Sequence, residues 1–171
     1  MNSETKIGGD AGDMTIAVAD YSDARDGQDL LKLLDTYARD LMGGGDPLSE
    51  DTRVRLLSGL GKVPGAFSLI ARIDGAAVGL ANCFMGYSTF AAAPLVNVHD
   101  FVVVSEHRGR GIGKALMAAI DAEASRRGAC KITLEVLTGN DPAKSLYVAC
   151  GFGDYQLDPA SGHALFWQKK L

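Results

Sequence analysis

The chain has 171 residues, 47% of them hydrophobic and 22% charged, which is the composition of a globular domain with a sizeable core. Its net charge of −4 argues against a chain-wide basic surface for nucleic acid, and no apolar run approaches the ~20 residues that cross a bilayer. The first residues lack both a basic segment and an apolar core, which predicts no secretory signal. Together with the net charge and the short apolar runs, this predicts a cytoplasmic protein with neither nucleic-acid nor membrane partners.

In the first half of the chain, apolar periodicity predicts three strands and two helices. Residues 1–13 are rich in Gly and Asp, and we expect them to form a disordered tail before a single domain over 14–171. The predicted elements are a strand over 15–19, helices over 30–41 and 49–58, and strands over 67–73 and 77–85. Asp74-Gly75 between the last two strands is a strong hairpin-turn signal.

In the second half, strand and helix patterns alternate. The predicted elements are strands over 96–104, 131–137, 152–156 and 163–169, and helices over 111–127 and 142–150. This order predicts an α/β (α+β) fold, with one mixed, twisted sheet of about seven strands and about four flanking helices.

The segment most suited to chemistry joins strand 96–104 to helix 111–127, and it reads V-V-V-S-E-H-R-G-R-G-I-G-K over 102–114. Glycines let a ligand come close to the backbone, and the free N–H groups of a first helical turn attract an anion. Arg108, Arg110 and Lys114 add positive charge there. The segment therefore predicts a pyrophosphate site.

Two nucleotide-binding motifs fail at this segment. A P-loop requires Ser or Thr after Gly113-Lys114, where this chain has Ala115, and Arg108 stands where its first Gly belongs. The dinucleotide pattern G-x-G-x-x-G also fails, because its last glycine would fall on Lys114 or Leu116. The segment does satisfy R-x-x-G-x-G.

With that motif the chain resembles the GNAT superfamily of acyl-CoA-dependent N-acyltransferases. A second matching segment lies downstream, with N-D-P-A over 140–143 and L-Y-V-A-C-G-F over 146–152. The resemblance implies acetyl-CoA as co-substrate, a coenzyme cleft between the fourth and fifth predicted strands, and a homodimer. It implies coenzyme contacts from Phe101, Val102, Val103, Arg108, Gly109, Arg110, Gly111, Ile112, Gly113, Lys114, Asn140 and Ala143.

The resemblance also implies catalytic roles. Tyr147 is similar to the phenol that protonates the departing thiolate, and its alternative is a half-buried aromatic of a short helix. Asn140 is similar to a residue that touches the coenzyme, and its alternative is a helix N-cap. The backbone of strand residues 101–103 would bind the pantetheine arm and donate one N–H to the thioester carbonyl.

A finer resemblance is to the diamine and polyamine (spermidine/spermine-type) and thialysine acetyltransferases. Its residues are Y-S-T-F over 87–90 and V-H-D-F-V-V over 98–103. Those enzymes have Glu-Asp where this chain has His99-Asp100. An imidazole changes charge near neutral pH, so His99 is either a base or proton relay or a structural histidine. Alternation places Asp100 on the opposite face, where it binds substrate or bonds to a loop.

No metal site or disulfide is predicted. His99, His107 and His163 are scattered without a ligand spacing, and the three cysteines Cys83, Cys130 and Cys150 lie in apolar settings that indicate buried thiols.

The sequence therefore predicts acetyl transfer from acetyl-CoA to a small amine or diamine in a ternary complex. The alternatives are an N-terminal or lysine acetyltransferase of proteins and a non-catalytic acyl-CoA-binding module.

Overall fold

The computed structural model describes residues 5–9, 12–155, 158, 160, 162 and 164–171. The chain divides into two compact units, a larger one over Met1–Leu134 and a smaller one over Glu135–Leu171. The larger unit begins before residue 14 and the smaller unit lies within 14–171, and the single domain predicted over 14–171 stays a prediction.

The larger unit contains one mixed sheet and three helices within its described residues. In chain order they are β1 (Thr5–Gly9), β2 (Gly12–Val18), α1 (Ala24–Arg39), α2 (Glu50–Leu60), β3 (Phe67–Ile73), β4 (Ala76–Ser88), β5 (Ala93–Val103), α3 (Ile112–Arg126) and β6 (Ile132–Leu134). The strands lie in sequence order, with β2 to β6 forming the main sheet and β1 at its edge. Neighbours from β1 to β5 pair antiparallel, whereas β5 and β6 pair parallel, which makes the sheet mixed as predicted.

The sheet is covered by helices on both faces. On one face, leucines of α1 and α2 pack against the sheet in a buried cluster that comprises Leu30, Leu33, Leu34, Leu60, Ile70, Leu80 and Val102. Next to Leu80, a Cβ added at Gly79 would lie 2.9 Å from Leu116 Cδ1 of α3, so glycine there lets α3 approach the opposite face. One face of the sheet therefore packs against α1 and α2, and the opposite face packs against α3.

Short-range signals set most of the element ends. Asp23 caps α1 by accepting bonds from two backbone N–H groups, and Ser49 caps α2 by accepting from Thr52. The predicted Asp74-Gly75 turn is confirmed, since both residues have positive φ, at 48° and 80°.

The smaller unit contains α4 (Asp141–Ala149) among its described residues. Asn140 accepts a bond from the N–H of Ala143 as the N-cap, and Gly151 follows the helix with a φ of 88°. The predicted helix over 142–150 is confirmed within one residue at each end.

The strand count differs from the sequence prediction at both ends of the chain. β1 pairs with β2 through backbone bonds from Thr5 to Gly9, so part of the predicted disordered tail lies in the sheet. Of the strand predicted over 131–137, only Ile132–Leu134 pairs with β5.

The two late strands are not found among the described residues, since 152–155 and 164–169 carry no strand; Gln156 and His163 lie outside them. Alternating apolar residues indicate that a segment can pair, but a strand also needs a partner, and Leu165, Phe166 and Trp167 are instead exposed.

Candidate functional site

The turn from β5 to α3 is shaped by two glycines in the left-handed region. A 3-10 turn over Ser105–His107 follows β5, and Gly109 and Gly111 then have φ angles of 76° and 82°. A Cβ at either glycine would meet no atom within 4 Å, so the backbone faces open space. Gly111 is the N-cap of α3 and has no side-chain cap bond. The start of α3 therefore presents backbone N–H donors and the positive end of the helix dipole outward.

The basic side chains predicted for this turn lie on it. The Arg108 guanidinium donates to the Val103 carbonyl at 2.9 Å and to Asp40 Oδ2 at 3.1 Å. A second arginine, Arg110, lies 2.9 Å from His107 Nδ1. Lys114 is exposed on the first turn of α3. The residues predicted for the anion site thus lie within one continuous segment of the larger unit.

Asp40, the C-cap of α1, was not predicted as part of this region. Its carboxylate accepts from the backbone N–H of Met42 at 2.9 Å as well as from Arg108. These two bonds lower the pKa of Asp40, the backbone bond most. The bridge joins residues 68 positions apart, and no local sequence pattern announces such a pair.

A β-bulge changes the geometry expected for His99 and Asp100. The register between β4 and β5 shifts from Asn82–Asp100 to Cys83–Val98, so His99 is an extra residue in β5. The His99 ring contacts Phe84 edge-on at 5.5 Å, and Asn82 donates to Asp100 at 3.0 Å. Because Asn82 and Phe84 share one face of β4, the prediction that His99 and Asp100 point to opposite faces is wrong.

Asp100 ends a row of polar side chains in the larger unit. The Tyr21 hydroxyl lies 3.0 Å from Ser68 Oγ, which donates to Asn82 Oδ1 at 2.6 Å, and Asn82 Nδ2 donates to Asp100 Oδ2. Ser68 and Asn82 are 0% and 2% exposed. Burial raises the pKa of Tyr21, against the opposing bond with Ser68.

The pKa of a second tyrosine, Tyr37 of α1, responds to two of the carboxylates of this region. Its pKa is raised by burial first, and then by the negative charges of Asp100 and Asp40. Two carboxylates therefore act on Tyr37, and one of them, Asp40, is paired with the Arg108 guanidinium.

The predicted pantetheine strand is the end of β5. Val102 is buried in the core cluster, while Phe101 and Val103 are half-buried. Pairing of β5 with β6 ends at Val98–Leu134, whereas pairing with β4 continues to Gly79–Val103. Residues 99–103 thus lie beyond the last pair of the two parallel strands, and Ile112 is buried below the turn.

The remaining predicted residues lie in the smaller unit. Tyr147 is 8% exposed, and its ring lies 6.0 Å from that of Phe152. Asn140 accepts from Ala143 N at 3.2 Å, which confirms its alternative role as a helix cap.

The cysteines differ in burial. Cys83 is buried, and burial raises its pKa to about 12. Cys130 is exposed and Cys150 is partly exposed, so the prediction of three buried thiols is wrong for these two. Both follow or end a helix, where apolar neighbours in the sequence do not guarantee burial.

In the part of the chain that the structure describes, no three His, Cys, Asp or Glu side chains gather as a metal site. No helix among the described residues is long and apolar enough to cross a membrane.

Comparison with known proteins finds one family over most of the chain. The profile of the Acetyltransferase (GNAT) family matches residues 28–152. Streptothricin acetyltransferase of Streptomyces lavendulae is 40% identical over 65 residues, which are 38% of this chain and 34% of that protein. The chain spans about a third of the length of the curated relatives it matches, at 35% and 34%.

Solved structures share the fold at low identity. Aminoglycoside N-acetyltransferase AAC(6')-Iy in complex with CoA has a TM-score of 0.71 at 20% identity, over 92% of this chain and 95% of that chain. Ribosomal-protein-alanine N-acetyltransferase from Brucella melitensis biovar Abortus 2308 has a TM-score of 0.63 at 22% identity, over 92% and 97%. The family profile covers the glycine turn, the bulged strand and α4 together. The chain therefore belongs to the Acetyltransferase (GNAT) family.

Proposed function

We propose that this protein transfers an acetyl group from acetyl-CoA to the primary amine of a small cationic molecule. The observation that carries the proposal is the turn before α3, where two left-handed glycines and an uncapped helix start lie among Arg108, Arg110 and Lys114. Backbone donors, a helix dipole and basic side chains at one point are what a pyrophosphate requires.

The turn has room for that ligand. The space above Gly109 and Gly111 is open, and any larger residue would place a side chain there. The guanidinium of Arg108 is already oriented by Val103 and Asp40, so it can meet a phosphate with little loss of side-chain freedom. The same bridge to Asp40 competes with the phosphate for this group.

For the reaction, the amine nitrogen must lose a proton and attack the thioester carbonyl carbon. In our proposal Asp100 binds the ammonium and His99 accepts its proton, directly or through water. A backbone N–H of residues 101–103 stabilises the carbonyl oxygen while the new C–N bond forms. The C–S bond then breaks, and Tyr147 donates its phenolic proton to the departing thiolate. The second proton of the attacking nitrogen leaves as the amide forms and passes through water to the phenolate. His99 releases the first proton to solvent, so one proton is released in each cycle.

The Asp100 carboxylate supports an amine that arrives as a cation. Asp40 and Asp100 both act on Tyr37, and no ion pair of Asp100 is present among the described residues. Diamines and polyamines fit this charge. Two similar proteins are named for acetylating streptothricin and aminoglycosides. His99 in place of the expected Glu removes one negative charge relative to the polyamine enzymes.

Two alternatives remain for the same fold. The first alternative is acetylation of a protein N-terminus or lysine, and one protein of similar fold is named for an alanine of ribosomal proteins. A coenzyme-binding module without catalysis would use the turn alone. A homodimer and a cytoplasmic location stay predictions.

The deciding experiment measures thiol release from acetyl-CoA over a panel of diamines, lysine analogues, aminoglycosides and short peptides. Turnover with a small amine supports the proposal, and turnover with peptides alone supports the first alternative. CoA binding by calorimetry without turnover on any amine would favour the module. Failure of CoA to bind would refute the coenzyme site itself.

A further inference from the structure

Asn82 is a polar residue in an apolar stretch of sheet. It is 2% exposed, and Leu80, on the same face of β4, is fully buried. An amide in such a place destabilises the fold unless each of its polar atoms is bonded. Both ends of the Asn82 side chain are bonded, Oδ1 to Ser68 and Nδ2 to Asp100.

The direction of these bonds follows from the number of protons. Ser68 has one hydroxyl proton and donates it to Asn82 Oδ1, so the Tyr21 hydroxyl must be the donor to Ser68 Oγ. A reversed Asn82 amide would place its oxygen against the Asp100 carboxylate. The carboxylate, which can only accept, therefore fixes which end of the amide faces Asp100, and the Ser68 hydroxyl bonds the other end.

We propose that Asn82 is a positioning residue for the amine substrate, holding the Asp100 carboxylate in place while Ser68 and Tyr21 hold Asn82. This inference rests on the proposed function, since it assigns the use of Asp100 in that reaction. The amide bonds Oδ2 of Asp100, and the bulge at His99 places the imidazole on the same side of the strand. A fixed carboxylate beside a proton acceptor selects a substrate that enters as an ammonium.

The hydrogen-bonded row takes the place of apolar packing in the core. Ser68 and Asn82 occupy positions on the α1–α2 side of the sheet where apolar residues would add to the core cluster, and a fully bonded buried row fixes side-chain geometry instead. A merely structural row would not need to end on a half-buried carboxylate.

The test is a double-mutant cycle with Asn82→Leu and Asp100→Asn, with Ile70→Val as the matched control. Ile70 is fully buried in the same strand as Ser68, so its variant loses core packing without touching the row. We expect Asn82→Leu to raise the amine KM about tenfold while kcat and the acetyl-CoA KM stay within about twofold; tenfold corresponds to ~1.4 kcal/mol. Added to Asp100→Asn, it should raise the amine KM no further.

An unchanged amine KM in folded Asn82→Leu, or an effect that simply adds to that of Asp100→Asn, would overturn the inference. If Asn82→Leu does not fold, Ser68→Ala gives the same readout, because the amide oxygen then loses the bond that holds the Asn82 side chain in place. The control variant Ile70→Val should leave the amine KM unchanged. If its KM rises as much as that of Asn82→Leu, the effect of Asn82→Leu comes from lost stability alone, and the inference is overturned.

A second cycle keeps this inference separate from the proposed function. The free energy of unfolding in urea, measured for both single variants and the double variant, gives the Asn82–Asp100 coupling with no substrate present. Zero coupling overturns the positioning link whatever the activity. If the variants show coupling but the wild-type protein acetylates no amine, the proposed function is overturned and the hydrogen-bonded row is a structural feature only.

Discussion

Replacing Gly111 with valine should weaken CoA binding in a protein that still folds. Gly111 has a φ of 82°, and its position opens onto free space at the start of α3. A β-branched residue at positive φ is strained, but it meets no neighbouring atom. Its side chain would occupy the space through which a pyrophosphate approaches the backbone.

The two effects have different sizes. Left-handed backbone costs an ordinary residue about 1–2 kcal/mol, a loss that a domain with roughly 5–15 kcal/mol of stability tolerates. In melting temperature this is a decrease of roughly 2–8 °C for a chain of this size. Loss of one charge-assisted bond to phosphate is worth about 1.5–3 kcal/mol, so the CoA Kd should rise about 10- to 150-fold.

Gly128 provides a matched control at the other end of the same helix. It has a φ of 69° and nothing within 4 Å of an added Cβ. Gly128→Val should therefore show a similar melting temperature to Gly111→Val but the wild-type CoA Kd. Calorimetric titration with CoA and thermal melting of both variants supply the measurements. Equal CoA affinities for two folded variants would refute the coenzyme site at this turn.

Four further outcomes follow from the site and the core. Tyr147→Phe should lower kcat by about 10²–10⁴-fold with little change in CoA Kd, and a near-native kcat in a rapid single-turnover assay would make Tyr147 structural. His99→Gln should lower kcat/KM for the amine and leave the CoA Kd unchanged, and a wild-type kcat/KM in this variant would exclude His99 as the proton acceptor. At pH 8 a thiol reagent should label exposed Cys130 in the native protein but Cys83 only after unfolding, because burial raises the pKa of Cys83 to about 12. Bonds from Arg126 and Arg127 lower the pKa of Glu123, so its contribution to stability should be complete above about pH 5 and lost as pH falls through the folded-state pKa; urea unfolding of Glu123→Gln should show a flatter dependence over that range.

The sequence predicted those elements whose signals are local. Asp74-Gly75 predicts its hairpin because both residues adopt the positive φ that such a turn requires. The motif over 108–114 predicts the start of α3 within one residue of the observed start. The strand predictions over 152–156 and 163–169 differ because alternation describes a segment without its partner. The same limit explains β1, whose bonds to β2 depend on backbone pairing and not on apolar composition.

The candidate site was predicted in its residue types but not in its geometry. Asp40 and Asn82 were missed because each acts on a residue far away in the chain, 68 positions from Arg108 and 18 from Asp100. Asn82 did carry a signal, since it is the one amide within the apolar run of β4, L-A-N-C-F-M. A polar residue inside a buried strand requires a hydrogen-bond partner. For Asn82 the partners lie on the neighbouring strands, Ser68 on β3 and Asp100 on β5.

The single extra residue at His99 connects these observations. Without the bulge, Val98, Asp100 and Val102 would share one face of β5 by alternation. With it, Val98 pairs with Cys83 on the other face, while Val102 lies in the core cluster under α1 and α2 and Asp100 meets Asn82 on that side. Deleting Val98 would close the bulge and pair His99 with Cys83, so the imidazole would turn to the face opposite Asp100. The number of residues in β5, as much as their identity, therefore determines whether the carboxylate and the imidazole can act on one amine.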